Sequence, residues 1–222
     1  MRVGVALLFL AIANALAAQN DFSGLTNELG AAREQFARGK LDAALAILDR
    51  LDKSHRTFES LDLRGCIYLE AGKLEEATKA FEAAHGIKFE AFAPKIHLAD
   101  TLLRQKKFEE AGREYEQLTS INAPMWPEYA RFGLLLTYLA QHDDPLAKRA
   151  FATIPFPTET AAYYYAQAAW GFAHGEKSEP QKWINSAKKI FDASKTSWFD
   201  RALFQFGWIK KKPAPAIDPF FY

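Results

Sequence analysis

Apolar residues return every three or four positions along most of this chain, the spacing of one face of a helix. The clearest stretch is Phe58 to Ala91. Leu61, Gly65 and Tyr68 mark the inner face of a first helix, and Ala71-Gly72 ends it, because Gly accepts a positive φ without steric cost. Leu74 and the acidic pair Glu75-Glu76 open a second helix, whose inner face carries Ala77, Phe81 and Ala84. The pattern predicts a hairpin of two antiparallel helices. Gly65 and Ala77 are expected to be small because the two backbones come close there, and Tyr68 and Phe81 to fill the space where hairpins diverge.

The hairpin is copied. Ala32, Gly65, Ala99, Gly133 and Ala168 stand 33, 34, 34 and 35 residues apart, and Ala44, Ala77, Ala111 and Ala147 form a second ladder beside them. A fixed period near 34 means that one supersecondary unit is stacked on the next. The first unit starts near Leu25 and the third near Phe92; the fourth gains two residues around His142-Asp143-Asp144, where Pro145 suits a first helical turn. The fifth keeps Ala168 and Gly175, then departs, with Pro180, Trp183, Ala187 and Phe191 at its second helix. Trp198 to Ile209 reads as a capping helix over the last apolar face, followed by Lys210-Lys211-Lys212 and a Pro-rich stem ending in Phe220-Phe221-Tyr222.

Gly65, Tyr68, Ala77, Phe81 and Ala84 lie at the spacing of the tetratricopeptide repeat signature, which the chain resembles from about Leu25 to Phe191. The resemblance implies an all-α fold, a right-handed superhelical α-solenoid of about five helix-turn-helix repeats plus a C-terminal capping helix. The expected organisation is a signal peptide over 1–17, the solenoid with its cap over 18–209, and a tail over 210–222.

In that family the first helix of each hairpin lines a concave face. Carried onto this chain, one row holds Phe36, Leu69 and Leu103, bordered by Arg33, Cys66 and Asp100 on one side and by Ala37, Glu70 and Arg104 on the other. The expected groove is an apolar strip with a polar rim, suited to a peptide or helix, unless these residues merely pack against the next hairpin. Its contact residues are Arg33, Phe36, Leu69, Glu70, Asp100, Leu103 and Arg104. The Lys/Asn pattern that clamps a partner's terminal carboxylate is absent, since the corresponding rows hold Leu29, Asp62, Ile96 and Arg33, Cys66, Asp100. A second candidate surface is the aromatic fifth unit. Tyr163, Tyr164 and Tyr165 cannot all face one way, so Tyr164 and Trp170 are candidate contacts, unless these rings only fill a widened gap.

Charge narrows the partner class. The 28 basic and 27 acidic residues nearly cancel, which argues against nucleic acid as the partner. Met1-Arg2, the apolar run Val3–Ala13 and the small residues Ala15-Leu16-Ala17 form the pattern of a secretory signal cleaved after Ala17. The run falls short of the ~20 residues of a spanning helix, so no stable membrane span is expected after cleavage, and the location is periplasmic or secreted. Cys66 is the single cysteine, expected as a half-buried small hydrophobe. None of the five histidines stands at a metal-ligand spacing, and no nucleophile elbow or phosphate-binding loop occurs. Asp143-Asp144 reads as a turn with a helix cap. No cofactor, metal or catalysis is expected. The reading is a scaffold that binds a protein partner of unidentified type, or else a module that self-associates into a homo-oligomer through its aromatic end.

Overall fold

The structure, a computed structural model, describes residues 25–121, 125–213 and 215. The expected signal peptide and the terminal Phe220-Phe221-Tyr222 lie outside the described residues. Among the described residues, ten helices pair into five hairpins: α1 (25–37) with α2 (Leu41–Ser54), α3 (Phe58–Glu70) with α4 (Leu74–Ile87), and α5 (Phe92–Arg104) with α6 (Phe108–Thr119). The fourth pair is α7 (Trp126–Ala140) with α8 (Asp144–Ala152), and the fifth α9 (Ala162–Ala173) with α10 (Glu179–Ile190). An eleventh helix, α11 (Ala193–Gln205), has no hairpin partner of its own among the described residues. No helix among the described residues is long and apolar enough to cross a membrane.

Two layers result. The first helices pack directly on one another, α3 on α5, α5 on α7 and α7 on α9, while α4 and α6 wedge between successive first helices. Each turn inside a hairpin closes the same way. In the second, the N–H of Lys73 donates to the Tyr68 carbonyl (2.9 Å) and that of Gly72 to Leu69 (3.2 Å), with Gly72 at φ +75°. This paired closure needs one left-handed residue. Gly39 and Gly175 supply it in the first and fifth turns, but Lys106 (φ +61°) and His142 (φ +56°) do so in the third and fourth. A period of turns is thus kept where the glycine is not.

Gly65 is small for a different reason than the expected approach of two backbones. A Cβ there would lie 2.4 Å from the Phe81 ring, and one on Gly133 would lie 2.2 Å from the Tyr115 ring. The aromatic residue of a second helix lies over the small residue of a first helix, so the Gly and the ring form one packing unit. The unit boundaries are also fixed by caps. Thr57 and Ser60 form a capping box at α3, and Asp143 caps α8 through the N–H of Leu146 at 3.0 Å, with Pro145 in the first turn as expected.

The long connection between α8 and α9 is held by a buried acid. Glu128, near the start of α7, accepts hydrogen bonds from the Thr158 hydroxyl (2.6 Å), the Thr160 hydroxyl (2.5 Å) and the Thr160 N–H (3.2 Å). The two extra residues of the fourth unit do not enlarge its turn at His142-Asp143, which closes like the others, but lengthen α7 to 15 residues against 13 in α3 and α5.

Candidate functional site

Helix α11 begins at Ala193 and ends at Gln205, earlier at both ends than the predicted Trp198–Ile209, because Asp192 caps it through the Lys195 N–H (3.1 Å) and Gly207 turns left-handed after it. It covers more than the last repeat. Trp198 and Phe199 reach the inner faces of α5, α7 and α9. The Trp198 indole donates to Asp100 at 2.8 Å across 98 residues of chain and meets the Tyr129 ring edge-on at 5.2 Å. Phe199 stacks between Tyr129 (4.9 Å) and Tyr165 (5.1 Å). Asp200 accepts from the Tyr165 hydroxyl (2.7 Å) and pairs with Lys188 (2.8 Å). Trp198, Phe199 and Leu203 are all buried in the main core.

Six of the seven predicted groove residues come together opposite this helix. Phe36, Leu69, Glu70, Asp100, Leu103 and Arg104 line one cavity whose far wall is Trp198, Arg201, Ala202, Gln205 and Phe206. Arg33 is not among the lining residues. The cavity holds about 40 Å³, room for a water or two and far too little for a peptide. In this state the centre of the inner face is filled by the chain itself. A larger space of about 580 Å³ opens at the turn end of the same face, bounded by Leu74, Leu103, Phe108, Phe172, Phe206 and Trp208.

The polar rim fastens the C-terminal segment. Arg104 donates to the Leu69 carbonyl (2.8 Å), and Lys212 pairs with Glu70 at 2.5 Å, bringing the residues beyond α11 back to α3. Asp100 also accepts a short hydrogen bond from Tyr115. Burial pushes the Asp100 carboxyl above its usual range, against the lowering effect of the Tyr115 and Trp198 hydrogen bonds and the nearby His97 and Arg104. Burial lowers the Arg104 guanidinium in turn, opposed by Asp100 and Glu70. Tyr115, desolvated and beside Asp100, is raised well above the phenol range and stays a donor.

The second predicted surface is a ladder of half-buried rings. Tyr165 turns inward, whereas Tyr163 and Tyr164 face outward beside Phe156, at 4.7 and 6.5 Å. Trp183 and Phe191 continue the ladder from Tyr164, and Trp170 stacks on His174 at 4.2 Å. Phe156 and Ile190 at its margin are 64 % and 60 % exposed.

One cluster lies outside what local spacings reveal. Asp62 and Cys66, four apart on α3, meet His97 of α5 in the core: His97 Nδ1 lies 2.9 Å from Asp62 and 3.7 Å from Cys66 Sγ. Both partners face the same ring nitrogen, so this is not a nucleophile–base–acid relay, which uses the two nitrogens separately. The signal available in the sequence is the period itself: Asp62 and His97 stand 35 residues apart, about one repeat, and such residues sit side by side on adjacent first helices.

The fold and site define a helical-hairpin solenoid whose inner face is occupied by its own last helix. Residues 58–89 match the family model of the tetratricopeptide repeat. The fold is similar to crystal structures of the nearly identical TPR-like repeats of a candidate kinesin light chain from Podosopora anserina. One of them, a single-substitution form, has 18 % identity and a TM-score of 0.54, covering 81 % of this chain and 97 % of that one. Another has 19 % identity and a TM-score of 0.53, covering 76 % and 95 %. At such identity the likeness concerns the fold. No curated protein matches the sequence significantly. The clearest unit of this chain is thus a tetratricopeptide repeat, set in an all-helical solenoid of TPR-like type.

Proposed function

We propose that this chain is an exported, non-catalytic scaffold of the bacterial cell envelope, which binds a segment of a protein partner along its inner face in the place that α11 takes here. The observation that carries this reading is the docking of α11. The inner face accepts a helix through an aromatic anchor, Trp198, whose indole meets the acceptor Asp100. A face that seats one amphipathic helix supplies the contacts for another of the same character. The open end near Phe206 and Trp208 would be the entry point. Tetratricopeptide repeats in general suggest protein partners, and the signal-like residues Met1–Ala17 support export.

The test is crosslinked affinity capture from the native envelope with mass spectrometry, comparing the wild type with Leu69→Asp/Leu103→Asp. A stoichiometric partner lost in the double variant, with helicity retained, supports the reading; capture unchanged by the double variant rejects it. A second reading, self-association through the aromatic end, is favoured by the exposed Phe156 beside Tyr164 and by the exposed Ile190, next in sequence to Phe191 of the ring ladder. It predicts a dimer by sedimentation that Tyr164→Ala or deletion of 213–222 dissociates.

A further inference from the structure

The Asp62–Cys66–His97 cluster is built from two elements that the solenoid holds in fixed register. Asp62 and Cys66 project from one face of α3, and His97 enters from α5, the next helix of the inner layer. All three are in the core, 2 %, 6 % and 1 % exposed. Their ligand atoms lie within 4.8 Å of one another. Neither the partner-binding reading nor the packing of the repeat calls for this combination. The other first-helix residues in the row of Asp62, Leu29 and Ile96, are apolar and buried.

The donor set and its spacing have a chemical meaning. Zinc bonds of about 2.0–2.2 Å to nitrogen and oxygen and about 2.3 Å to sulfur, at tetrahedral angles, put donors roughly 3.3–3.6 Å apart. The Sγ–Nδ1 separation of 3.7 Å matches. The Oδ1–Nδ1 separation of 2.9 Å is the length of a hydrogen bond, so a cation between them would replace that proton and part the atoms by a few tenths of an ångström. A fourth position is at hand, because Cys66 and His97 both line the cavity of about 40 Å³ under α11. That volume suits a single coordinated water. The Phe81 ring lies 5.2 Å from the His97 ring, tilted at 41°, and limits its rotation.

We propose that Asp62, Cys66 and His97 form a site for a divalent transition-metal cation of the zinc class, with a water in the cavity beneath α11 as fourth ligand. Thiolate and imidazole select zinc or cobalt over magnesium and calcium, which prefer all-oxygen shells. The site would tie α3 to α5 and stiffen the inner face where α11 docks. Binding would release the Cys66 thiol proton and the proton shared by His97 and Asp62.

Co²⁺ is the probe. The purified, reduced full chain, stripped with a chelator, is titrated with Co²⁺ and followed by absorption. The expected result is a near-ultraviolet thiolate-to-cobalt charge-transfer band that saturates at one equivalent and is bleached by Zn²⁺. Cys66→Ala should lack the band while keeping its helical circular dichroism. His97→Gln and Asp62→Asn should weaken binding by more than the roughly 10–100-fold that outer-shell partners cost. In parallel, Zn²⁺ but not Mg²⁺ should raise the melting temperature of the wild type and leave that of Cys66→Ala unchanged. The variant His174→Ala, which removes an exposed pair between His174, just after α9, and Asp144 of α8, should behave as wild type. Absence of the band in the folded, reduced wild type would overturn the proposal, as would a band that survives Cys66→Ala.

Discussion

The first three hairpins and the last two solve the same packing problem in different ways. In the N-terminal part the core is a repeated fit of small against large: Gly65 lies under Phe81, and a compact cluster runs from Leu29 to Phe81. In the C-terminal part the small–large fit survives at Gly133 and Tyr115, but the spacing between units widens. Aromatic rings, the Glu128 clamp on the α8–α9 connection, and α11 itself fill what the period leaves open. Both parts have contacts about one period apart, His97 to Asp62 in the regular part and Thr158 to Glu128 in the irregular one; the irregular part adds a contact that spans several units, Trp198 to Asp100 across 98 residues. A solenoid is therefore not uniformly one-dimensional here, since its far end folds back on its middle.

Breaking the long-range contact should have the largest effect. Trp198→Ala removes a buried ring from the junction of α5, α7 and α11 and is expected to cost about 3–5 kcal/mol in urea unfolding. Amide protection should fall in α11 and α7 while α2 to α4 keep theirs. Equal loss of protection across both halves would show that the two regions are one cooperative unit and not two. Next comes Glu128→Ala, which strips four hydroxyl and backbone donors, those of Thr158, Glu159 and Thr160, of their acceptor; about 2–3 kcal/mol is expected, because donors left unpaired in the core lose full solvation. Glu128→Gln should cost less.

The shared small–large fit sharpens the comparison. Gly65→Ala and Gly133→Ala each drive a methyl into a ring, and overpacking of about 1–3 kcal/mol outweighs the ~1 kcal/mol that Ala gains in a helix. Gly112 is the control. Its nearest neighbour to an added Cβ is the Thr137 methyl at 4.0 Å, so Gly112→Ala should be neutral or stabilising by up to ~1 kcal/mol. If Gly65→Ala proves as harmless as Gly112→Ala, the ring does not define the ladder. The smallest change is a gain: Lys106→Gly relieves a left-handed lysine at the third turn and should stabilise by about 0.5–1 kcal/mol, measured as a shift in urea midpoint at constant slope.

The same contrast explains what can be read in the chain. The two ladders of small residues announce the hairpins, their number and their order, although the contact behind a small residue changes: Gly65 meets Phe81 of its own hairpin and Gly133 meets Tyr115 of the preceding one. Six of the seven groove residues follow from that register alone and do converge. The docking of α11 is not legible there. Trp198, Phe199 and Leu203 look the same in sequence whether they cap the end of a solenoid or fill its inside, and the deciding partner, Asp100, lies three units away. The Asp62–Cys66–His97 cluster is hidden from metal-ligand spacings within one helix, because stacked helices bring together residues one period apart.

The central claim is that the inner face is a helix-binding surface now held by α11. It is tested most directly by fluorescence anisotropy of a labelled peptide of residues 193–209 added to the folded chain. The account predicts no binding to the wild type, whose site is filled, saturable binding to Trp198→Ala, and loss of that binding when Leu69→Asp and Leu103→Asp are added. A folded Trp198→Ala chain that ignores the peptide, or binds it regardless of Leu69 and Leu103, would contradict it.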